Sequence, residues 1–212
     1  PLPNPKSELW RLSNKSKFSN FLDYSVNDKN PKFDTPFPKT SQCTIRLVIG
    51  DNCQINLIEK NYSIKQLSED KLINHIKEQI SCFDQNENWS DLLNLSLNCT
   101  NNTLGLKISG SEIPPIEIFS HASSNSLNAK TLIIFLEKNC DIDLLQVNLG
   151  KDNSSLSQST FFCLEENSSV NHGVVSYGEN KSNLLNSLNV IQQNNSEYNL
   201  GSLHFKFNYA RF

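Results

Sequence analysis

The 212-residue sequence contains no methionine and only seven glycines. With so few glycines there is little material for a phosphate-cradling loop, and neither G-x-x-x-x-G-K-[ST] nor G-x-G-x-x-G occurs. The lack of methionine in a chain of this size leads us to expect a fragment or a sequence with residues left out. An intact mass that differs from 24.0 kDa would show this.

The chain also has no excess of positive charge and no long apolar run. The net charge is -3, so the chain has no overall basic field for a phosphate backbone, and we expect no nucleic-acid partner. No apolar run approaches the roughly 18 residues that span a bilayer. The longest, Thr131–Leu136, has the length of a buried strand. Because Pro1–Pro5 does not resemble the start of a signal peptide, we predict a cytoplasmic protein with no membrane contact.

The six cysteines form no C-x-x-C pair, and no histidine lies at a ligand-like distance from any of them. In a cytosolic chain such cysteines stay reduced and act as small apolar residues. The sequence therefore assigns no metal or cluster ligand. The cysteines are Cys43, Cys53, Cys82, Cys99, Cys140 and Cys163.

Residues 1–100 have the pattern of a mixed helical and hairpin region. Apolar residues at three- and four-residue spacing predict an amphipathic helix over Ser68–Phe83, with Ser68 as its cap. Turn chemistry at residues 50–52 separates two β-rich runs and predicts a hairpin. The further elements are a short helix at Glu8–Leu22, an extended linker at Asn30–Thr40, hairpin strands at Cys43–Ile49 and Cys53–Ile58, and a second helix near Trp89.

Residues 101–212 read as β structure throughout. The apolar period changes to two at Leu104, and strands are predicted at Leu104–Ile108, Ile116–Ile118 and Thr131–Leu136. The segment Ser120–Lys130 is rich in serine and asparagine and is predicted to be a loop.

A fourteen-residue repeat organises the last third of the chain. Each unit combines a charged or Asn/Ser turn with about eight strand-like residues, and the turns carry asparagine at Asn139, Asn153 and Asn167. Asparagine suits such a turn because it tolerates positive φ at low cost. One apolar or aromatic position recurs in register, at Ile142, Leu156, Val170, Leu184, Tyr198 and Phe212.

So short a unit cannot bury its own apolar face, so consecutive units must pair. A parallel β-helix with two units per coil meets this need, and an antiparallel meander of evenly spaced hairpins is the alternative. Because Phe212 falls inside the repeat, we expect the array to be incomplete at that end and to continue in residues beyond it, or to be covered by another chain.

No residue pattern predicts catalysis. Of the four histidines, His75 suits a helix surface and His121 opens the predicted loop, while His172 and His204 lie in repeat strands and are interpreted as polar residues on an outer face. The acids lie mostly at turns, which favours solubility over catalysis. They are Glu137, Asp141, Asp152, Glu165, Glu166 and Glu179.

Several segments, taken in order, resemble the SufD family of iron–sulfur cluster assembly proteins. Each motif is loose, but their order along nearly the whole chain is fairly specific. They are Glu8–Leu12, the predicted strand–Gly50–strand hairpin, Leu144–Gly150, Val170–Gly173, Leu184–Val190 and Ser196–Leu200.

The resemblance implies a mixed N-terminal region followed by a right-handed parallel β-helix that serves as a scaffold. It implies partners, a SufB-like subunit and the SufC-like ATPase, with a homodimer as an alternative assembly. The cysteine and histidine positions associated with cluster formation in the family lie beyond the part matched here, so none is carried over. The helical segment that contacts SufC also lies beyond it.

We therefore predict a non-catalytic scaffold subunit with no catalytic, cofactor-binding or metal-binding residue of its own, and with any iron–sulfur cluster formed in the assembled complex. Two alternatives remain open from the sequence: a β-helical carbohydrate-active enzyme and a β-helical interaction module unrelated to metal metabolism.

Overall fold

A computed structural model describes residues 45–49, 55–68 and 103–211 of the chain. These residues form twelve β-strands. The strands are β1 Ile45–Val48, β2 Asn56–Ile58, β3 Tyr62–Gln66, β4 Thr103–Gly110, β5 Ile116–Ala122, β6 Leu127–Leu136, β7 Asp141–Gly150, β8 Ser155–Leu164, β9 Ser169–Gly178, β10 Asn183–Gln192, β11 Glu197–Phe205 and β12 Tyr209–Arg211.

From β4 onward, successive strands alternate between two sheets. The five-stranded sheet has the order β1-β5-β7-β9-β11, and the seven-stranded sheet has the order β12-β10-β8-β6-β4-β3-β2. Every neighbouring pair from β4 onward, and the pair β1 and β5, is parallel. The chain thus winds as a β-solenoid of about four turns, with two strands in each coil.

The fourteen-residue repeat is one half of a coil. Ile142 pairs with Val170 and Val170 with Tyr198 in the five-stranded sheet, while Leu156 pairs with Leu184 in the seven-stranded sheet. The predicted register and the prediction of two units per coil are therefore confirmed. The parallel pairing also decides against the antiparallel meander. Phe212, the last predicted register position, lies outside the described residues.

The corners explain why asparagine recurs. Asn125, Asn139, Asn153, Asn167 and Asn195 all have φ between 54° and 58°, in the left-handed region that asparagine adopts more readily than most residues. The predicted positive φ at the repeated asparagines is thus confirmed.

Asparagine ladders join the corners of successive coils. On one side of the solenoid Asn153 Nδ2 donates to Asn125 Oδ1 at 2.8 Å. On the other side, Asn195 Nδ2 donates to Asn167 Oδ1 and Asn167 Nδ2 to Asn139 Oδ1, both at 3.2 Å. On the side of Asn125 and Asn153, the corner one coil further along carries Lys181, which has φ 55°.

The core lies between the two sheets. Ile142 and Leu144 of β7 and Val170 of β9 pack with Phe162 and Leu164 of β8 in one cluster of buried side chains. Each of these five side chains is no more than 3% exposed. Burying a side chain of this size contributes about 1.5–3 kcal/mol, so this stacked apolar column is a main source of stability.

Small residues make room for an aromatic ring at one corner. Ala122 packs with Leu156 and Leu184 in a small cluster, against which Phe207 packs. A Cβ placed on Gly178 would lie 2.7 Å from Phe207 Cδ1, and one on Gly150 would lie 3.0 Å from the same ring. At Gly178 the Cβ would also lie 2.2 Å from Ser182 Oγ, so close packing against Ser182 and Phe207 favours glycine there, while Gly150 is packed less tightly.

The predicted hairpin over Cys43–Ile58 is wrong. β1 pairs in parallel with β5 in the five-stranded sheet, whereas β2 pairs antiparallel with β3 in the seven-stranded sheet. The alternation that suggested a hairpin instead aligns Ile45 and Leu47 with Ile116 and Ile118. Such alternation specifies a buried face but not a partner, and the local hairpin is β2–β3.

The predicted loop over Ser120–Lys130 is also wrong. β5 continues to Ala122 and β6 starts at Leu127, so only a short corner separates them. The polar residues that suggested a loop are buried within the strands: Ser120 and Lys130 are both 0% exposed.

The mixed α/β character predicted for residues 1–100 is not supported, because the described part of the chain is β and contains no helix. The predicted helices at Glu8–Leu22, at Ser68–Phe83 and near Trp89, and the linker at Asn30–Thr40, lie outside the described residues. The boundary between residues 100 and 101 stays a prediction. Among the residues that the structure describes, no helix has the length and apolarity needed to cross a membrane.

Candidate functional site

The interior of the solenoid has a polar end beside its apolar column. Thr160 Oγ1 donates to Gln146 Oε1 across the two sheets at 3.1 Å. Gln146 Nε2 donates to Asn148 Oδ1 at 3.2 Å, and Asn148 Nδ2 donates to Ser176 Oγ on the next coil at 3.1 Å. All four side chains are buried. Because these groups bond mainly to one another, they form an internal network that ties the sheets together.

His172 lies inside the solenoid, not on the outer face as predicted. Its side chain is 2% exposed, and its ring lies 5.0 Å from that of Phe162. Its Nδ1 is 2.6 Å from the hydroxyl of Tyr198. Burial lowers the pKa of His172 to about 4 and raises the pKa of Tyr198, so both groups are neutral at pH 7. A neutral, enclosed pair of this kind bridges two coils but is closed to a substrate.

The other described histidines are at separate places. His121 lies within β5 and not at the start of a loop; it is buried, and burial, followed by the charges of Lys130 and Lys151, lowers its pKa to about 4. His204 on β11 is half-buried, and burial lowers its pKa as well. In the pairing of β11 with β9, His204 lies beside Ser176, whereas Leu200 lies beside His172. His75 lies outside the described residues.

Two of the six cysteines fall in the described part of the chain, and both are held as thiols. Burial, with smaller contributions from Asp141 and Glu137, raises the pKa of Cys140 to about 12. Burial raises the pKa of Cys163 to about 11. Since the thiolate is the metal ligand and the nucleophile, neither residue is prepared for such a role. Over the described ranges, no three His, Cys, Asp or Glu side chains are grouped so as to hold a metal ion.

Most of the corner acids are paired along the solenoid. Glu137 binds Lys107 at 2.6 Å, Glu179 binds Lys151 at 2.7 Å, and Glu166 binds Lys138. These pairs are exposed to solvent, which screens them, so they contribute little to stability. The corner position predicted for the acids is confirmed for Glu137, Asp152, Glu165, Glu166 and Glu179. Asp141 instead begins strand β7.

Sequence patterns did not reveal the buried charges near the first coil. Arg46 Nε lies 2.7 Å from Glu117 Oε2, and the Arg46 guanidinium lies 5.0 Å over the ring of Phe119. Lys130 is fully buried and its Nζ donates to the Ile49 carbonyl at 3.2 Å. Residues 71 and 81 positions apart are brought together here, and no local spacing in the sequence carries that information.

Three of the five large apolar side chains that are exposed in the described part of the chain lie on β11, which we call the end strand. Leu200, Leu203 and Phe205 are 51%, 59% and 46% exposed. Within the described part of the chain the end strand pairs only with β9, so its other edge presents backbone N–H and C=O groups. An edge of this kind accepts a further strand by hydrogen bonding, and the apolar side chains beside it provide area to bury. The end strand is therefore the best candidate for a docking surface.

Comparison of the chain with protein-family models, with curated proteins and with solved structures gives no match.

Proposed function

We propose that this protein is a non-catalytic scaffold subunit of an iron–sulfur cluster assembly complex of the SufBCD type. The observation that carries the proposal is the parallel stacking of the fourteen-residue half-coils, for which Ile142, Val170 and Tyr198 give the register. A right-handed winding of this stack is part of the proposal. The ordered resemblance of Leu144–Gly150 and Leu184–Val190 to the SufD family supplies the specific role.

In this proposal the end strand docks a SufB-like subunit in the cytoplasm. Backbone groups along the open edge of the end strand pair with a strand of the partner, and Leu203 and Phe205 become buried between them. Because both side chains are already about half buried, their further burial contributes about 1.5–3 kcal/mol in total before the cost of association. A homodimer formed through the same strand competes with the partner when the partner is missing.

In this proposal the chain positions its partner subunits and supplies no reactive group for cluster assembly. Cys140 and Cys163 stay protonated at neutral pH because burial raises the pKa of both. His172 is enclosed beside Tyr198. A cluster is accordingly assembled in the complex, with the SufC-like ATPase as the third component, and no ligand to it is assigned in this chain.

The test is co-expression of the complete protein with SufB and SufC, followed by affinity purification. We expect the three proteins to purify together. Replacing both Leu203 and Phe205 by lysine should reduce recovery of SufB at least tenfold. Ile58→Lys is the matched control, because Ile58 is 64% exposed on β2 at the opposite end of the stack.

Two results would reject the proposal. One is failure of the complete protein to associate with either SufB or SufC. The other, which would reject the end strand as the docking surface, is undiminished recovery with the double lysine variant. Light scattering of the protein without partners then separates a homodimer from a monomer.

A further inference from the structure

A shallow groove of about 520 Å³ lies on the outer face of the five-stranded sheet. It crosses β7, β9 and β11, and we call it the glycine groove. Its wall is Asp143, Asn171 and Asn199, which align on three successive coils, and its floor is Leu145, Gly173 and Gly201, which align next to them.

The two floor glycines are not needed by the described fold. Neither has φ in the left-handed region where glycine is favoured. A Cβ on Gly201 would meet no described atom within 4 Å, and one on Gly173 would meet Leu145 Cδ1 at an ordinary 3.4 Å. Glycine inside a strand weakens the strand, and it often marks a place where a ligand or another backbone approaches closely. Because Gly173 and Gly201 have no side chains, the floor of the groove allows a ligand or another backbone to come close to the strands from outside.

The wall offers hydrogen-bonding groups of both kinds. Asn171 Nδ2 donates to Asp143 Oδ1 at 2.9 Å, and Asn199 Nδ2 donates to Asn171 Oδ1 at 3.1 Å. Each amide has a second N–H, and each oxygen has a second lone pair. The wall can thus bond a chain that carries both donors and acceptors, as a polypeptide backbone does.

The rim of the groove is acidic. Asp141 and Glu197 both pair with Ser169, so they lie two residues before the wall residues on their strands. Together with Asp143 they place three exposed carboxylates on this part of the sheet. None of the three takes part in an ion pair among the described residues. Such a field attracts a cationic partner and repels an anionic one.

We propose that the glycine groove docks an extended, lysine- or arginine-bearing segment of a partner protein. The bare floor admits the backbone of the segment, the amide wall bonds its N–H and C=O groups, and the carboxylates of the rim attract its basic side chains. The apolar side chain of Leu145 lies beside the two glycines on the floor and contacts the segment between its charges. The proposal does not depend on the iron–sulfur role, and the groove is a different surface from the open edge of the end strand.

The experiment measures fluorescence anisotropy of a labelled ten-residue peptide of alternating lysine and alanine, titrated with the full chain at low salt. A peptide of alternating glutamate and alanine tests charge, and spermine, which carries positive charge but no acceptor, tests the role of a backbone. We expect the lysine peptide to bind at least tenfold more tightly than the glutamate peptide and to be displaced only weakly by spermine.

Variants locate the binding. Gly201→Val fills the floor at a position where a Cβ meets no described atom within 4 Å, and it should weaken binding of the lysine peptide at least tenfold, while circular dichroism shows an unchanged fold. Asp143→Asn should weaken it severalfold. Asn189→Val, on β10 of the other sheet, is the matched control and should leave binding unchanged.

Three outcomes would overturn the proposal: no binding of the lysine peptide, binding that Gly201→Val leaves intact, or equally tight binding of spermine. The last two would show a general attraction of cations to the acidic surface without a groove.

Discussion

Replacing Lys181 by asparagine should stabilise the solenoid. Lys181 occupies a corner position that asparagine holds at the other repeated corners, and it has φ 55°. An ordinary L-residue in this region costs roughly 1–2 kcal/mol, of which asparagine avoids a part. The new side chain would also lie one coil beyond Asn153, whose own amide donates to Asn125 Oδ1 at 2.8 Å. The variant therefore extends the ladder by one hydrogen bond.

The two effects are of similar size. A net hydrogen bond contributes about 0.5–1.5 kcal/mol, and the lower end applies at an exposed corner. Together with partial relief of backbone strain, we expect a gain of about 1 kcal/mol in the free energy of unfolding. For a chain of this length that gain raises Tm by about 2–4 °C. Urea unfolding followed by circular dichroism measures it directly.

A control separates the ladder from the backbone effect. Lys181→Gly relieves the left-handed strain but supplies no amide, and the entropy that glycine loses on folding offsets the relief. We expect its stability to stay close to that of the parent chain. The reasoning is refuted if Lys181→Asn is no more stable than Lys181→Gly, or if Asn153→Ala leaves the advantage of asparagine at position 181 unchanged.

Two further predictions concern pH and packing. Burial depresses the pKa of His172 from 6.5 to about 4, so its stabilising contribution is complete above pH 6.5 and is lost as pH falls towards 4, by about 3 kcal/mol. Urea unfolding at pH 7.5, 5.5 and 4 should show this loss, and His172→Leu should reduce the pH dependence while the slope due to His121 remains; an equal slope in the variant would contradict the assignment. Gly178→Ala should destabilise the chain by about 1–3 kcal/mol, because the new Cβ would lie 2.2 Å from Ser182 Oγ and 2.7 Å from the ring of Phe207. Thermal unfolding tests this against Gly201→Ala, where a Cβ meets no described atom within 4 Å; equal losses in the two variants would show that these close contacts are not the cause.

Periodic features were predictable from the sequence because every coil repeats the same physical requirement. An apolar residue faces the core at Ile142, Leu156 and Val170, and asparagine occupies the left-handed corner at Asn139 and Asn153. A requirement that recurs at fixed spacing leaves a pattern in the sequence even when each single residue is uninformative.

The position of His172 was missed because a lone polar residue in a strand was assigned to the outer face. The spacing of a full coil, 28 residues, could have predicted its position. Leu144 lies one coil before His172 and Leu200 one coil after it, and both pair with it in the sheet. A histidine between two leucines of one column belongs to the interior. Its tolerance there depends on the hydroxyl of Tyr198, which no local pattern could supply.

Non-local pairing was the other source of error. The strand Ile45–Val48 could be recognised by its alternation, but its partner Ile116–Phe119 is far along the chain. Equally, the buried polar residues Ser120 and Lys130 resemble loop residues in composition. They are tolerated in strands because the interior of this solenoid is polar at one end, a property that emerges only when both sheets are assembled.

The stacking of the coils also determines how a disturbance spreads. Within its sheet each strand meets only the strand one coil before it and the strand one coil after it, so the solenoid behaves as a one-dimensional array with nearest-neighbour coupling. A change that weakens β8 therefore directly affects β6 and β10. The end strand, coupled on one side among the described residues, then frays more easily than a strand that is paired on both sides. A partner that pairs with the end strand would supply the missing coupling, and its binding and the ordering of the last coil would become one equilibrium.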